Sequence, residues 1–350
     1  MKNNILKTVI FLAVLIFLTG SLTVHAQRRG SSSASEIKPF VWLQTGLLNE
    51  DDNDTSPSFI CRSARVGLYG KATRDIDYRL MFEAIHGADL DPKLYDAWIE
   101  YKFSRNFGLR VGQFKYPFGI EAYPGIVYWK FIDPSYVTEA IVKEMGRKDA
   151  AEESGVYRDI GIEAAGRYQF NRDYSATYNI MLMNGNGMNT TDNNDHKDIV
   201  LHGNLDTPSG LKLGVSYFQG KAVSETVSDG LSESAFGCDF TWTNEINDRP
   251  FMLQGELMTA IYEQRGLDPE PWGYYLYGTY FFTEEIEIGL RYDYYDPDEL
   301  EPDVDNLKRA TLLFGYSFAK DQLIRVNYEI IDNEYEDMDY VFQVLCQIAL

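Results

Sequence analysis

Ile286-Glu-Ile-Gly-Leu-Arg-Tyr-Asp-Tyr294 decides the fold. Successive side chains of an extended chain point to opposite sides. Ile286, Ile288, Leu290, Tyr292 and Tyr294 therefore share one face, and Glu287, Gly289, Arg291 and Asp293 share the other. The same beat returns in 322–330, where Ile324, Val326, Tyr328 and Ile330 oppose Arg325, Asn327 and Glu329. It also runs through 76–84, where Tyr78, Leu80, Phe82 and Ala84 oppose Arg79, Met81 and Glu83.

Working outward, strand-like segments fall at about 38–48, 59–70, 76–85, 94–103 and 107–114. They resume at about 157–168, 173–183, 197–206, 210–218, 234–243, 250–261, 273–282, 286–296, 307–318, 322–332 and 340–349. The joins alternate between clipped turns, such as Thr73-Arg74-Asp75 and Thr283-Glu284-Glu285, and longer loops rich in Asp, Asn, Gly and Pro. No short turn can house a crossover helix, so neighbours are antiparallel. A soluble sandwich shows the same alternation with its apolar face inward, but it has no need of sixteen such segments without a domain boundary. The pattern predicts an all-β fold, a membrane-spanning antiparallel barrel of 16 strands with short periplasmic turns and long outer loops.

The ends agree with a membrane destination. Lys2 and Lys7 precede the apolar run Ile10–Leu18, which leads to Val24-His25-Ala26. This is the plan of a secretory signal, expected over 1–26, with 27–36 a polar linker and 37–350 the barrel. Removing Lys2 and Lys7 takes the formal charge from −21 to −23, which makes nucleic acid an unsuitable partner. The 25 Tyr and 20 Phe suit aromatic girdles at the two membrane interfaces. Cys61, Cys238 and Cys346 are odd in number and far apart, so no disulfide framework is expected.

If the apolar face meets lipid, the other face lines a wet interior. Parity puts Arg65, Arg79, Arg110, Arg167, Arg291 and Arg325 there. It also puts Glu83, Glu100, Glu163, Glu287 and Glu329 there, with Asp96, Asp159, Glu256 and Asp293. Such charges are costly against lipid and cheap against water. For any one of them, a solvated wall held by cross-strand pairs is the plainer reading; together they favour a polar channel.

Residues 115–156 break the beat. They contain Lys115-Tyr-Pro-Phe-Gly119, Tyr123-Pro124-Gly125 and Asp133-Pro134, and a helix candidate around Tyr136–Lys148. So long an irregular segment calls for a function or for disorder, and its aromatic residues argue against disorder. Folded into the lumen it would constrict the pore and bring Lys115, Lys130, Lys143, Arg147 and Lys148 to the permeating solute; a surface cap or subunit contact is the alternative.

Leu109-Arg-Val-Gly-Gln-Phe-Lys-Tyr-Pro-Phe-Gly-Ile-Glu121 is the most distinctive string, supported by Arg62-Ser-Ala-Arg-Val-Gly-Leu-Tyr-Gly70, Leu94-Tyr-Asp-Ala-Trp-Ile-Glu-Tyr101 and Asn184-Gly-Asn-Gly187. In these the chain resembles the phosphate-selective porin O and P family of bacterial outer membranes, especially its Bacteroidetes-like members. The resemblance implies a homotrimer of sixteen-strand barrels, inserted by the barrel assembly machinery, with an inward-folded third extracellular loop. It also implies a basic path for phosphate or polyphosphate. Two features depart from it: the mature chain is strongly acidic without a readable arginine ladder, and it ends in Leu350 where the family usually ends in Phe.

The resulting expectation is an outer-membrane porin for passive diffusion of small polar solutes or ions, with outer-membrane lipid as its surroundings. Phosphate selectivity is implied by resemblance and opposed by charge, which points to a cation preference at low salt. A binding or adhesion barrel without conductance is the alternative. His86, His196 and His202 belong to no nucleophile elbow, HExxH helix or phosphate loop, so neither enzyme activity, a metal nor a cofactor is expected.

Overall fold

The computed structural model describes residues 35–50, 56–85, 92–143, 145, 157–192, 194–222, 231–263, 269–297, 306–333 and 338–350. The expected signal 1–26, most of the 27–36 linker, and Arg147 and Lys148 lie outside the described residues.

Sixteen strands form one sheet. The first five are β1 (Glu36–Glu50), β2 (Ser58–Lys71), β3 (Ile76–Glu83), β4 (Lys93–Lys102) and β5 (Gly108–Lys115). After a long irregular segment come β6 (Arg158–Gln169), β7 (Ser175–Met183), β8 (Asp198–Asp206), β9 (Leu211–Ala222), β10 (Leu231–Ile246) and β11 (Arg249–Tyr262). The set ends with β12 (Trp272–Phe281), β13 (Ile286–Asp296), β14 (Leu307–Ala319), β15 (Gln322–Asn333) and β16 (Asp339–Ala349). Each strand pairs with its neighbours in sequence, and β1 pairs antiparallel with β16 to close the barrel. At the seam Val41 and Leu350 exchange both backbone hydrogen bonds, at 3.0 and 2.9 Å. Closure removes the unpaired edge that an open sheet would expose to hydrocarbon.

The two faces separate as the alternation requires. On β13, Leu290 is 57% exposed and Tyr292 41%, whereas Arg291 and Asp293 are fully buried. Val111, Ile162, Leu182, Val215, Leu257 and Leu312 extend the exposed apolar wall around the barrel. Aromatic side chains crowd its short-turn rim: Phe103 stacks on Phe107 at 5.1 Å, Tyr168 meets Phe170 edge-on at 5.1 Å, and Tyr280 meets Phe282 at 5.5 Å. Cys61, Cys238 and Cys346 are free and half-buried.

Beyond β5, a 3-10 turn (Ile126–Tyr128) and a π-helical turn (Thr138–Val142) are the only helical elements among the described residues. The helix expected from Tyr136 to Lys148 is helical over 136–142, mostly as the π-helical turn; residue 144 and residues 146–156 lie outside the described set.

Because Leu290 stands mid-strand on the exposed face, Leu290→Arg should cost about 2–4 kcal/mol in refolding from urea into lipid bilayers. Leu290→Phe should be close to neutral. An equally small cost for arginine would take this face out of the hydrocarbon.

Candidate functional site

The site is built from the buried faces of the strands and the segment 116–143. Gly119 starts it. Its φ of 66° is left-handed, and a Cβ there would lie 2.3 Å from Glu256 Oε2, so glycine is needed for both conformation and approach. With it in place, Gly119 N donates to Ser216 Oγ of β9 (3.0 Å), and Ile120 N and Glu121 N donate to the Glu256 carboxylate of β11 (3.0 and 2.7 Å). Tyr275 adds its hydroxyl to the same carboxylate at 2.6 Å.

Further on, Lys130 pairs with Glu287 of β13 at 2.5 Å. Arg291 Nη1 donates to Asp133 O (2.7 Å) and Arg309 Nη2 donates to Pro134 O (2.6 Å). The Asp133 carboxylate takes Arg62 of β2 and Gln343 of β16, each at 2.5 Å. Burial pushes that carboxyl up, but Arg62, Gln343 and Arg309 outweigh it and hold Asp133 below the usual carboxylate range. Gln347 donates to Val127 O at 3.0 Å. The segment closes on itself as well: Ser135 N and Oγ donate to Glu121 Oε2, and Trp129 Nε1 donates to Glu121 O. Its apolar residues Phe118, Phe131, Val137 and Ile141 share one buried cluster with Met181, Val200, Phe218 and Met258 of the strands.

The expected wall residues mostly meet as ion pairs along the register. Arg65 faces Glu83 directly and bonds it at 2.5 Å. Glu100, Arg110 and Glu163 stand opposite one another across β4, β5 and β6, with Arg110 3.1 Å from each acid. Arg79 and Arg158 share Asp96, at 3.1 and 2.7 Å. Asp293 takes both Arg291 and Arg309 at 3.0 Å, and Arg309 reaches Glu329 at 3.3 Å. Arg325 is buried on the same wall. Arg167 stands apart at the short-turn end, more than half exposed and paired with Asp206 at 2.9 Å. Lys115 is buried, its amine donating to Ala122 O (2.5 Å) and Pro124 O (2.7 Å). Lys143 pairs with Glu139 one turn back at 2.5 Å.

Sequence reasoning missed Arg62, Arg158, Arg309, Asp133 and the two glutamines of β16. Arg309 was findable: Arg309, Thr311 and Gly315 alternate with Leu312, Phe314 and Tyr316, although the inward Leu313 blurs the pattern. Arg158 was not, because Arg158 and Asp159 are both buried where β6 begins.

His202 lies 3.4 Å from Ser216 Oγ and 3.6 Å from Asp239, an order of groups that suggests nucleophilic chemistry. The serine hydroxyl is buried and already accepts from Gly119 N. Its structural role is to anchor the segment. Among the described residues no group of three or more His, Cys, Asp and Glu side chains is arranged to hold a metal.

A closed barrel of sixteen antiparallel strands, apolar outside and charged on its buried face, is an outer-membrane porin architecture. The chain belongs to the phosphate-selective porin O and P family, whose sequence pattern matches residues 41–339. Family and barrel together put it in the outer membrane. It is similar to the anion-selective porin from Comamonas acidovorans, with a TM-score of 0.70 at 14% identity over 91% of this chain and 100% of that one. OmpT of Vibrio cholerae in its trimer form gives 0.60 at 14% identity, over 91% and 100% of the two chains. The outer membrane channel DcaP of Acinetobacter baumannii gives 0.59 at 12%, over 91% and 98%. An uncharacterised protein of Aquifex aeolicus (strain VF5) is 21% identical over 304 residues, 80% of this chain and 72% of that protein.

Since Glu256 accepts two amides of the segment and a tyrosine hydroxyl, Glu256→Ala should cost about 1–3 kcal/mol through the groups it orphans. Hydrogen exchange at Ile120 and Glu121 should accelerate in the variant. Unchanged protection of those two amides would mean the segment is held elsewhere.

Proposed function

We propose that the chain is a porin through which small polar solutes or ions diffuse passively, with segment 116–143 folded into the lumen as its constriction. The observation that supports this most is the reach of the segment's bonds. Arg62, Ser216, Glu256, Arg291, Arg309 and Gln347 belong to β2, β9, β11, β13, β14 and β16, and all touch it. Contacts to strands on opposite sides of a closed barrel are natural for a segment crossing its interior. The charged face is then the lumenal one, and Arg65, Arg79, Glu83, Glu100, Arg110, Glu163, Glu287, Arg291, Arg325 and Glu329 line the path around it. Arg167 lines the mouth.

Selectivity is weak on this reading. Phosphate selectivity, which the family's description suggests, has less support because wall arginines already hold carboxylates: Arg65 with Glu83, Arg110 with Glu100 and Glu163, Arg309 with Asp293. The same pairing removes most of the wall's negative potential. A cation preference then comes from acidic loops at the mouths, which salt screens over about 10 Å at 0.1 M.

Planar-bilayer recording of the purified protein should give ohmic channels with nearly equal potassium and chloride permeability at high salt, and a cation preference that grows on dilution. Deleting residues 120–142 should enlarge the single-channel conductance. Absence of channels would favour a binding or adhesion barrel instead.

The exposed apolar wall and the trimer form of the similar Vibrio cholerae barrel support a homotrimer inserted by the barrel assembly machinery. Native mass spectrometry in mild detergent should show three copies; a spectrum of monomers alone would refute this assembly.

A further inference from the structure

We propose that the outward wall at Gly278 holds one phospholipid of the periplasmic leaflet, with an acyl chain in the groove that this glycine opens and the phosphate on Arg249 at the short-turn rim. The site needs only the membrane-facing wall and stands whether or not the barrel conducts. Register lays Leu253, Gly278, Leu290, Leu312 and Tyr328 side by side across β11–β15, all on the outward face. Four of these side chains fill their share of the wall. Gly278 has none, and a groove of about 660 Å³ lies over it, lined mostly by apolar side chains.

Three other outward glycines are each covered by an aromatic partner. Gly70 faces Tyr78, Gly166 faces Tyr178 and Gly255 faces Phe240 across the register. A Cβ on each of them would lie 2.9–3.1 Å from that side chain, so the ring occupies the space the glycine leaves. Gly278 faces Leu253 and Leu290 instead, and its Cβ would meet nothing nearer than 3.7 Å. Tyr280, the next outward ring along the strand, reaches toward the rim and donates to Ile246 O at 3.4 Å. Water finds too few polar partners in such a groove, and an empty one forfeits the dispersion contacts of its lining.

Depth and charge identify the occupant. On the loop side the wall ends in an aromatic belt, where Trp272 and Tyr274 lie 5.0 and 5.7 Å from Tyr294; on the short-turn side Tyr280 meets Phe282. Gly278 stands between these belts, four residues from Phe282 and six from Trp272, which is hydrocarbon depth in the half nearer the short turns. Toward that rim on β11, Arg249 shares the outward face with Phe251 of the groove and with Ile246 across the hairpin. Among the described residues it forms no ion pair. An arginine at headgroup level takes phosphate through paired donors, and an acyl chain starting there runs along the wall into the groove. The flanking turns carry the exposed Asp248 and Glu284, which suit the ammonium of a zwitterionic ethanolamine headgroup. A chain gains no hydrophobic energy on moving from bulk lipid to the wall. Its preference for this place comes from the fit of the groove and from the Arg249 contact.

Native mass spectrometry of the full-length barrel in mild detergent, titrated with dioleoyl phosphatidylethanolamine, should show one lipid retained per copy ahead of any further adducts. Gly278→Phe, for which the backbone has room, and Arg249→Gln should each weaken that first adduct about tenfold, the size of one hydrogen bond to a charged group. Val111→Phe, on β5 seven strands away, should leave it unchanged. Arg249→Gln does not touch the groove and keeps the test open if the phenylalanine variant does not fold. No discrete first lipid, equal retention in a folded variant of either position, or equal loss from Val111→Phe would overturn the site. So would a Gly278→Phe barrel that keeps its lipid and loses its association with other copies, since the groove would then seat a second copy. A barrel that retains the lipid but forms no channels keeps the site and removes the porin reading; channels without the retained lipid do the reverse.

Discussion

Every feature of this molecule follows from the requirement that backbone N–H and C=O groups in hydrocarbon be bonded within the protein. A sheet satisfies it only by closing, and here the β1–β16 seam does so. Closure gives the wall two faces of opposite solvent. Side chains such as Leu290 and Tyr292 go outward into lipid, and Arg291 and Asp293, each one residue further on, have nowhere to go but in. The interior charges are thus a consequence of membrane insertion before they are a device for transport.

Once inside, those charges meet a second constraint. An unpaired charge away from water is expensive, and removing one partner of a buried pair costs about 3–5 kcal/mol. The wall answers with rows fixed by strand register, such as Glu100–Arg110–Glu163. Where the register supplies no partner, the segment after β5 does: its carbonyls at Ala122, Pro124, Asp133 and Pro134 accept from Lys115, Arg291 and Arg309. Buried pairs are weak sources of net stability, so their effect is specificity. Wall and segment each restrict the position of the other, and a slip of one residue in β13 or β14 would turn Arg291 or Arg309 toward lipid.

Much of the fold was legible because period two is a local signal. All sixteen strands lie within a few residues of their expected places, from 38–48 for β1 to 340–349 for β16. Parity likewise put Arg65, Glu83, Glu100 and Arg110 on one face of the wall, and the register then pairs them. What stayed hidden is what depends on distant chain. Gln343 and Arg62 meet at Asp133, residues far apart in sequence with no shared motif. The Lys115 amine, expected to face solute, is instead turned to backbone carbonyls that only the folded segment brings near. Parity also fails where a strand begins, which concealed Arg158, the residue that completes the pairing of Asp96.

The same pairing limits what net charge can say about permeation. A formal charge of −21 suggests a negative pore, yet the wall carboxylates are largely matched by cations within 2.5–3.3 Å. A solute near the wall feels local imbalances, since potentials from distant loops are screened within about a Debye length. Composition therefore fixes the field outside the barrel, while strand register fixes the field within it.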